Sequence, residues 1–220
     1  MASTNDRDYE EALARKLRSE AILTKQGLPT ASELPCFAPA SLIQMRTQEE
    51  TIARAAAVSC ISHRAQLDYL NDLDEFMQEE GIFPFLTADE KRFYFSSPDR
   101  ESPHNAPYTW RIEGAHALYW ALGHMLRLDY PDAPTDHKVL FHLFFTRGLE
   151  GFRASSRLRL TGEVLDAADL YFRYLALCRR RSGEDAGAPG MLAHLVVHER
   201  YVALCWLLGR GEWDTLQNSS

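Results

Sequence analysis

The chain has 220 residues, enough for one large domain that buries most of its apolar side chains, and its 45% hydrophobic and 25% charged residues exclude a disordered or fibrous chain. With 31 acidic residues against 24 basic ones the formal charge is -7, the wrong sign for broad capture of nucleic acid or an anionic membrane; a protein partner, basic rather than acidic, fits it better. Cys36, Cys60, Cys178 and Cys205 form no CxxC or metal-type cluster, the start MASTNDRDYEE lacks a secretory signal, and no run reaches the ~18 apolar residues of a membrane span, so a cytoplasmic location is expected.

After a polar tail over residues 1–7, Leu13, Leu17 and Ala21 recur at spacings of four, predicting an amphipathic helix over residues 8–26 that stops at Gly27. Three prolines then mark a connection, too apolar around Cys36 and Phe37 to float free. Thr47 with Glu50 is a capping box opening an Ala-rich helix that continues or restarts as far as Gly81. A second box, Thr87 with Glu90, opens a short helix ending near Phe95. Residues 96–107, SSPDRESPHNAP, read as a polar loop. A helix over residues 108–127 follows, and then 136–147, ambiguous between buried helix and buried strand until its length and the lack of β neighbours favour helix. A long helix over 161–181 and a last helix over 191–208, with Pro189 before it and Gly209 stopping it, precede a tail over 210–220. The expected fold is all-α: one domain over residues 1–220, about seven helices, with the apolar C-terminal helix central.

Two helices carry charges on apolar arcs. On a wheel of about 100° per residue, Arg111 falls among Trp110, Gly114, Ala115, Ala117, Leu118, Ala121 and Leu122, and Glu199 falls among Leu192, Leu195, Val196, Val202, Ala203 and Trp206. A buried carboxylate must be paired or protonated and a guanidinium cannot shed its proton, so Arg111 is expected to meet Glu199, with Glu49, Glu50 and Asp169 as rival partners. Asp169 and Arg173 are spaced for an i, i+4 pair; a solvated face with Asp166 and Arg180 accounts for them, and both are also candidates for the buried polar network.

Glu113, His116, Trp120 and His124 share one edge of the first of these helices, and His194, His198, Tyr201 and Cys205 share a stripe on the last. Arg111, Glu113, His116, His124, His194 and His198 are therefore the binding-site candidates. A di-iron centre needs two Glu-x-x-His units and two further carboxylates. Glu113 with His116 is one unit, but the other match, Glu101 to His104, crosses Pro103, so no metal is expected. No Gly-rich phosphate loop, GxSxG elbow or HExxH motif appears, and no cofactor or catalytic residue is expected.

Five stretches in order, RKLRSEAILTKQGLP, RTQEETIAR, WRIEGAHALYWALGH, GEVLDAADLYFRYLALCRR and VVHERYVALCWLLGRGEWD, resemble a bacterial family catalogued as domain of unknown function 4272. The resemblance rests on Trp110, Arg111, Glu113, Asp169, Arg173, Glu199, Arg200, Trp206, Trp213 and Asp214, and departs at Tyr174-Leu175 and Cys205. It implies a cytosolic helical domain and transfers no activity. Two functions are expected to compete. One is a non-catalytic module that binds a protein or regulates it, as an immunity protein does; the other is an enzyme or small-ligand protein with a cleft near Arg111, Glu113 and His116. Histidines and carboxylates converging on a pocket would favour the second.

Overall fold

A computed structural model describes residues 4–66, 71–96, 106–180 and 192–218. Every regular element among them is helical: α1 Thr4–Lys25, α2 Gln48–Gln66, α3 Asn71–Glu79, α4 Ala88–Phe95, α5 Ala106–Ala121, α6 His137–Phe145, α7 Gly148–Ser155, α8 Thr161–Arg180, α9 His194–Leu207 and α10 Trp213–Gln217, with short 3-10 turns at Ala40–Leu42 and Phe83–Phe85. The all-α expectation holds, but ten helices among the described residues replace the expected seven or so. The stretch from Thr47 to Gly81 holds two helices, and α7 and α10 are additional. Helices of eight and five residues are too short to form on propensity alone, so packing rather than periodicity creates them. Residues 4–7 are helical where a tail was expected, and α10 occupies the expected C-terminal tail. Residues 97–105 of the expected 96–107 loop, Pro189 and Gly183 lie outside the described residues, and Ala106 and Pro107, expected in that loop, already belong to α5.

Two capping boxes start helices as their spacing predicts. Thr47 and Glu50 exchange bonds of 2.8 and 3.2 Å, and Thr87 and Glu90 bonds of 2.9 and 3.2 Å. The ambiguous 136–147 stretch is the helix α6, capped by the Asp136 carboxylate on the Lys138 amide. Helix α5 ends at Ala121, short of Arg127, because Gly123 adopts φ 83° and the His124 amide turns back to the Tyr119 carbonyl.

Helix α5 lies between α2 and α9, and α9 in turn packs against α8 and α10. Small residues make that stacking possible: Ala55, Ala56 and Ala57 on α2 and Ala115, Ala117 and Ala121 on α5 are fully buried. A Cβ on Gly114 would stand 3.3 Å from the Trp213 ring and 3.7 Å from Ala203, so the glycine is where α9 and α10 close on α5. Every residue from Arg111 to Ala121 is buried, which leaves α5 no solvated edge beyond its first turn. The connection after α1 is docked, with Ala31 and Phe37 buried and the Lys16 ammonium and Arg15 guanidinium bonded to its carbonyls.

Candidate functional site

The polar edge of α5 is consumed inside the protein. Arg200 on α9 donates from Nε to Glu113 Oε2 at 2.9 Å, and its Nη2 lies 2.8 Å from the same oxygen. Nη2 also reaches Thr135 Oγ1 at 2.9 Å, and Nη1 reaches Tyr171 Oη and the Asp129 carbonyl, both at 3.0 Å. Thr135 gives Glu113 its amide at 2.6 Å and its hydroxyl at 2.9 Å. That hydroxyl has one proton, spent on Glu113, so at 2.7 Å it accepts from His116 Nδ1. His116 is thereby held as the neutral Nδ1–H tautomer, and burial, with the Arg200 cation, lowers its pKa to about 4. Tyr171 and Asp129 border a cleft of about 330 Å³ otherwise walled by Trp120, Tyr130, Leu170 and Tyr174, among others; neither Glu113 nor His116 lines it.

The expected pairing of Arg111 with Glu199 is not formed. Arg111 instead stands with Nη1 3.9 Å from Glu90 Oε1 and its guanidinium 4.9 Å over the Tyr108 ring. Glu90 was not among the rivals, because its capping-box role on a short helix gave no sign that α4 would bury it completely. Glu199 accepts from Gln217 Nε2 at 3.0 Å and lies 3.8 Å from His198 Nδ1. Glu49 pairs with Arg153 and Glu50 with its own cap and Arg46. Asp169 and Arg173 do pair, at 2.9 and 3.0 Å, but fully buried rather than on a solvated face, and Arg173 also holds the Ala31 carbonyl at 3.2 Å.

The histidines do not converge. His124 lies beyond the end of α5, stacked 4.0 Å over Phe152 with Nε2 2.9 Å from Ser156 Oγ, and burial with the nearby Arg147 lowers its pKa to about 4. His194 is exposed at the start of α9, and its ring centroid is 6.2 Å from that of His198. No group of three or more His, Cys, Asp or Glu among the described residues is placed to hold a metal ion.

A second polar assembly, unforeseen as a unit, lies where α2, α4, α5 and α10 meet. Glu90 is fully buried with Arg54 Nη2 2.5 Å from Oε2 and Arg111 on its other side, so one carboxylate separates two guanidinium groups. The Arg54 guanidinium lies 5.0 Å over the Trp213 ring, and that of Arg46 lies 5.4 Å over Trp206. Arg46, Arg54, Trp206, Trp213, Asp214 and Glu212 line a cleft of about 400 Å³. On its lining, Arg46 Nε, Arg54 Nε and Trp213 Nε1 are buried without an acceptor and Asp214 Oδ1 without a donor, while behind them Arg111 Nη1 and Glu90 Oε1 face each other at 3.9 Å. Buried polar groups are normally satisfied by protein, water or a ligand, so their concentration on one cleft makes it the candidate seat for a ligand. Arg54 gave no sign of burial, because it lies on the side of α2 opposite Ile52, Ala56 and Cys60; the legible signal was the Arg-Thr-x-x-Glu opening of α2 and the Glu-Trp-Asp of residues 212–214.

The profile of a family described as Domain of unknown function (DUF4272) matches residues 15–216, nearly the whole chain. No curated protein and no solved structure matches it.

Proposed function

The chain belongs to the DUF4272 family, and we propose that it is a non-catalytic helical binding module whose ligand seat is the cleft between the start of α2 and α10. One observation carries this reading: the unpartnered N–H groups of Arg46, Arg54 and Trp213 gather around a single cleft. The acid–base candidates support it from the other direction. Glu113 and Asp169 are each held by an arginine, and His116 and His124 are neutral and hydrogen-bonded within the packing, an arrangement that stabilises a fold rather than moving protons on a substrate.

A ligand taken up there can signal through α10, whose Trp213 is wedged between α5 and α9 and whose Asp214 accepts from the Asp89 amide of α4. The formal charge of -7 favours a basic protein as the partner that reads the outcome, and four cysteines far apart in the sequence favour a reducing, cytoplasmic setting. The test is thermal unfolding in the presence of amino acids, simple carboxylates, amines and phosphates. A ligand at ~100 times its Kd stabilises by about 2.7 kcal/mol. Shifts in the wild type that vanish in Ala53→Phe, which fills the cleft from its half-buried wall, support the seat; no shift from any compound, or the same shift in the filled variant, removes it.

A further inference from the structure

We infer that the cleft takes a small zwitterion of the α-amino-acid type, its carboxylate on Arg46 above Arg54 and its ammonium on the carboxylates of Glu50 and Asp214. The inference rests on the cleft being a ligand seat and adds the class of ligand.

The charge inventory separates the ligand classes. Arg46, Arg54 and Arg111 stand against Glu50, Glu90, Glu212 and Asp214, so the assembly is close to neutral and slightly acidic. A dianion such as phosphate would add two negative charges beside four carboxylates, and a simple cation would face the Arg54 and Arg46 guanidinium groups. A zwitterion adds no net charge and places each end against its opposite. The unpartnered atoms are of both kinds in the same way: Arg46 Nε, Arg54 Nε and Trp213 Nε1 require an acceptor, and Asp214 Oδ1 requires a donor.

A carboxylate already stands where the ligand's would go. Glu212 Oε1 lies 2.8 Å from Arg46 Nη2 and joins the two walls of the cleft, yet its side chain is 78% exposed and Arg46 is 24% exposed. An exposed pair of this kind is worth little, so a ligand carboxylate can displace it. Arg46 is kept on station while that happens, because its guanidinium also lies over the Trp206 ring and its Nη1 is 3.6 Å from Glu50. The Trp206 and Trp213 rings meet edge to face at 5.8 Å and supply an apolar wall for a side chain. At about 400 Å³ the space is within the range of small-molecule sites.

The test is calorimetric titration of the intact protein with each of the twenty L-amino acids, with acetate and methylamine as the separated halves, and with inorganic phosphate. At least one amino acid is expected to bind ten-fold or more tightly than acetate, methylamine or phosphate, with a change in tryptophan fluorescence. Arg46→Met should abolish that binding. Glu212→Gln, at an exposed rim position whose ion pair contributes little to stability, should tighten it several-fold by removing the competing carboxylate. Phosphate or acetate binding as tightly as any amino acid, in a form blocked by Ala53→Phe, would overturn the zwitterion and leave the seat standing. Amino-acid binding that Glu212→Gln weakens or leaves unaltered would overturn the placement of the carboxylate. Silence from every probe would overturn both readings.

Discussion

Replacing Glu113 by Gln is expected to destabilise the protein by about 4 kcal/mol, and replacing Glu199 by Gln by less than about 1. Glu113 is fully buried and receives the Arg200 guanidinium at 2.9 and 2.8 Å together with the Thr135 amide and hydroxyl. Glutamine keeps the shape but removes the charge, and its NH2 group must point at one set of these donors. Arg200, itself buried, is left uncompensated, and breaking one side of a buried pair costs about 3–5 kcal/mol, a large part of a typical total of about 5–15. Glu199 accepts from Gln217, which an amide oxygen can still do. Guanidinium unfolding followed by circular dichroism and by tryptophan fluorescence measures both variants, provided the slopes agree with wild type. In the Glu113→Gln/Arg200→Met double variant the loss should fall below the sum of the single losses, since no buried charge remains. Glu113→Gln within about 1 kcal/mol of wild type, or Glu199→Gln exceeding it, would refute the assignment of the central pair.

His116 and His124 are held neutral with pKa values of about 4 by burial, against an ordinary value near 6.5, as is His63 by burial and the nearby His137. The unfolded chain therefore binds more protons between these values, and stability is expected to fall as pH drops from about 6.5 toward 4 and to be flat with respect to these groups above 7; a melting temperature constant from pH 7 to 4.5 would contradict it. Arg173→Met leaves Asp169 buried without its partner and frees the Ala31 carbonyl, so a loss of about 3–5 kcal/mol should come with new thermolysin cleavage near Phe37, and intact digestion kinetics would argue against that role. Gly209 ends α9 at φ 70°, and a Cβ there would fall against the Gln44 carbonyl oxygen, whereas Gly27, at φ 72°, has open space around it. Gly209→Ala should lose about 3 kcal/mol from strain and clash together and Gly27→Ala about 1, and equal losses in the two variants would show that the clash is relieved.

Much of the secondary structure is local chemistry and could be read residue by residue. The boxes Thr47–Glu50 and Thr87–Glu90 satisfy amides within their own first turns, Gly27 and Gly209 adopt positive φ just past helix ends, and the 3.6-residue period of α1 and α8 needs no knowledge of neighbours. The i, i+4 pair of Asp169 and Arg173 was legible for the same reason, since both ends lie on one helix. Family membership was legible too, because it rests on ordered stretches of residues rather than on how they pack.

Who meets whom across helices was not legible. A wheel sorts residues into an inner and an outer face, and α5 and α9 have hardly any outer face, being buried nearly all round. Arg111 and Glu199 share the inner-face label yet belong to different neighbours, Arg111 to Glu90 on α4 and Glu199 to Gln217 on α10. The pair that does join α5 to α9 is Glu113, which the wheel placed on a polar edge, with Arg200, which the wheel did not single out. Helices α7 and α10 and the cleft beside α10 likewise depend on contacts between residues more than a hundred positions apart, such as Arg46 with Glu212. Hydrogen bonds within a turn are specified by spacing, so the amino-acid order alone determined the longer helices and the two capping boxes. The azimuth of each helix against its neighbours is set by how small and large side chains interlock, so only the tertiary structure decided which charges pair in the core and which converge on a cleft.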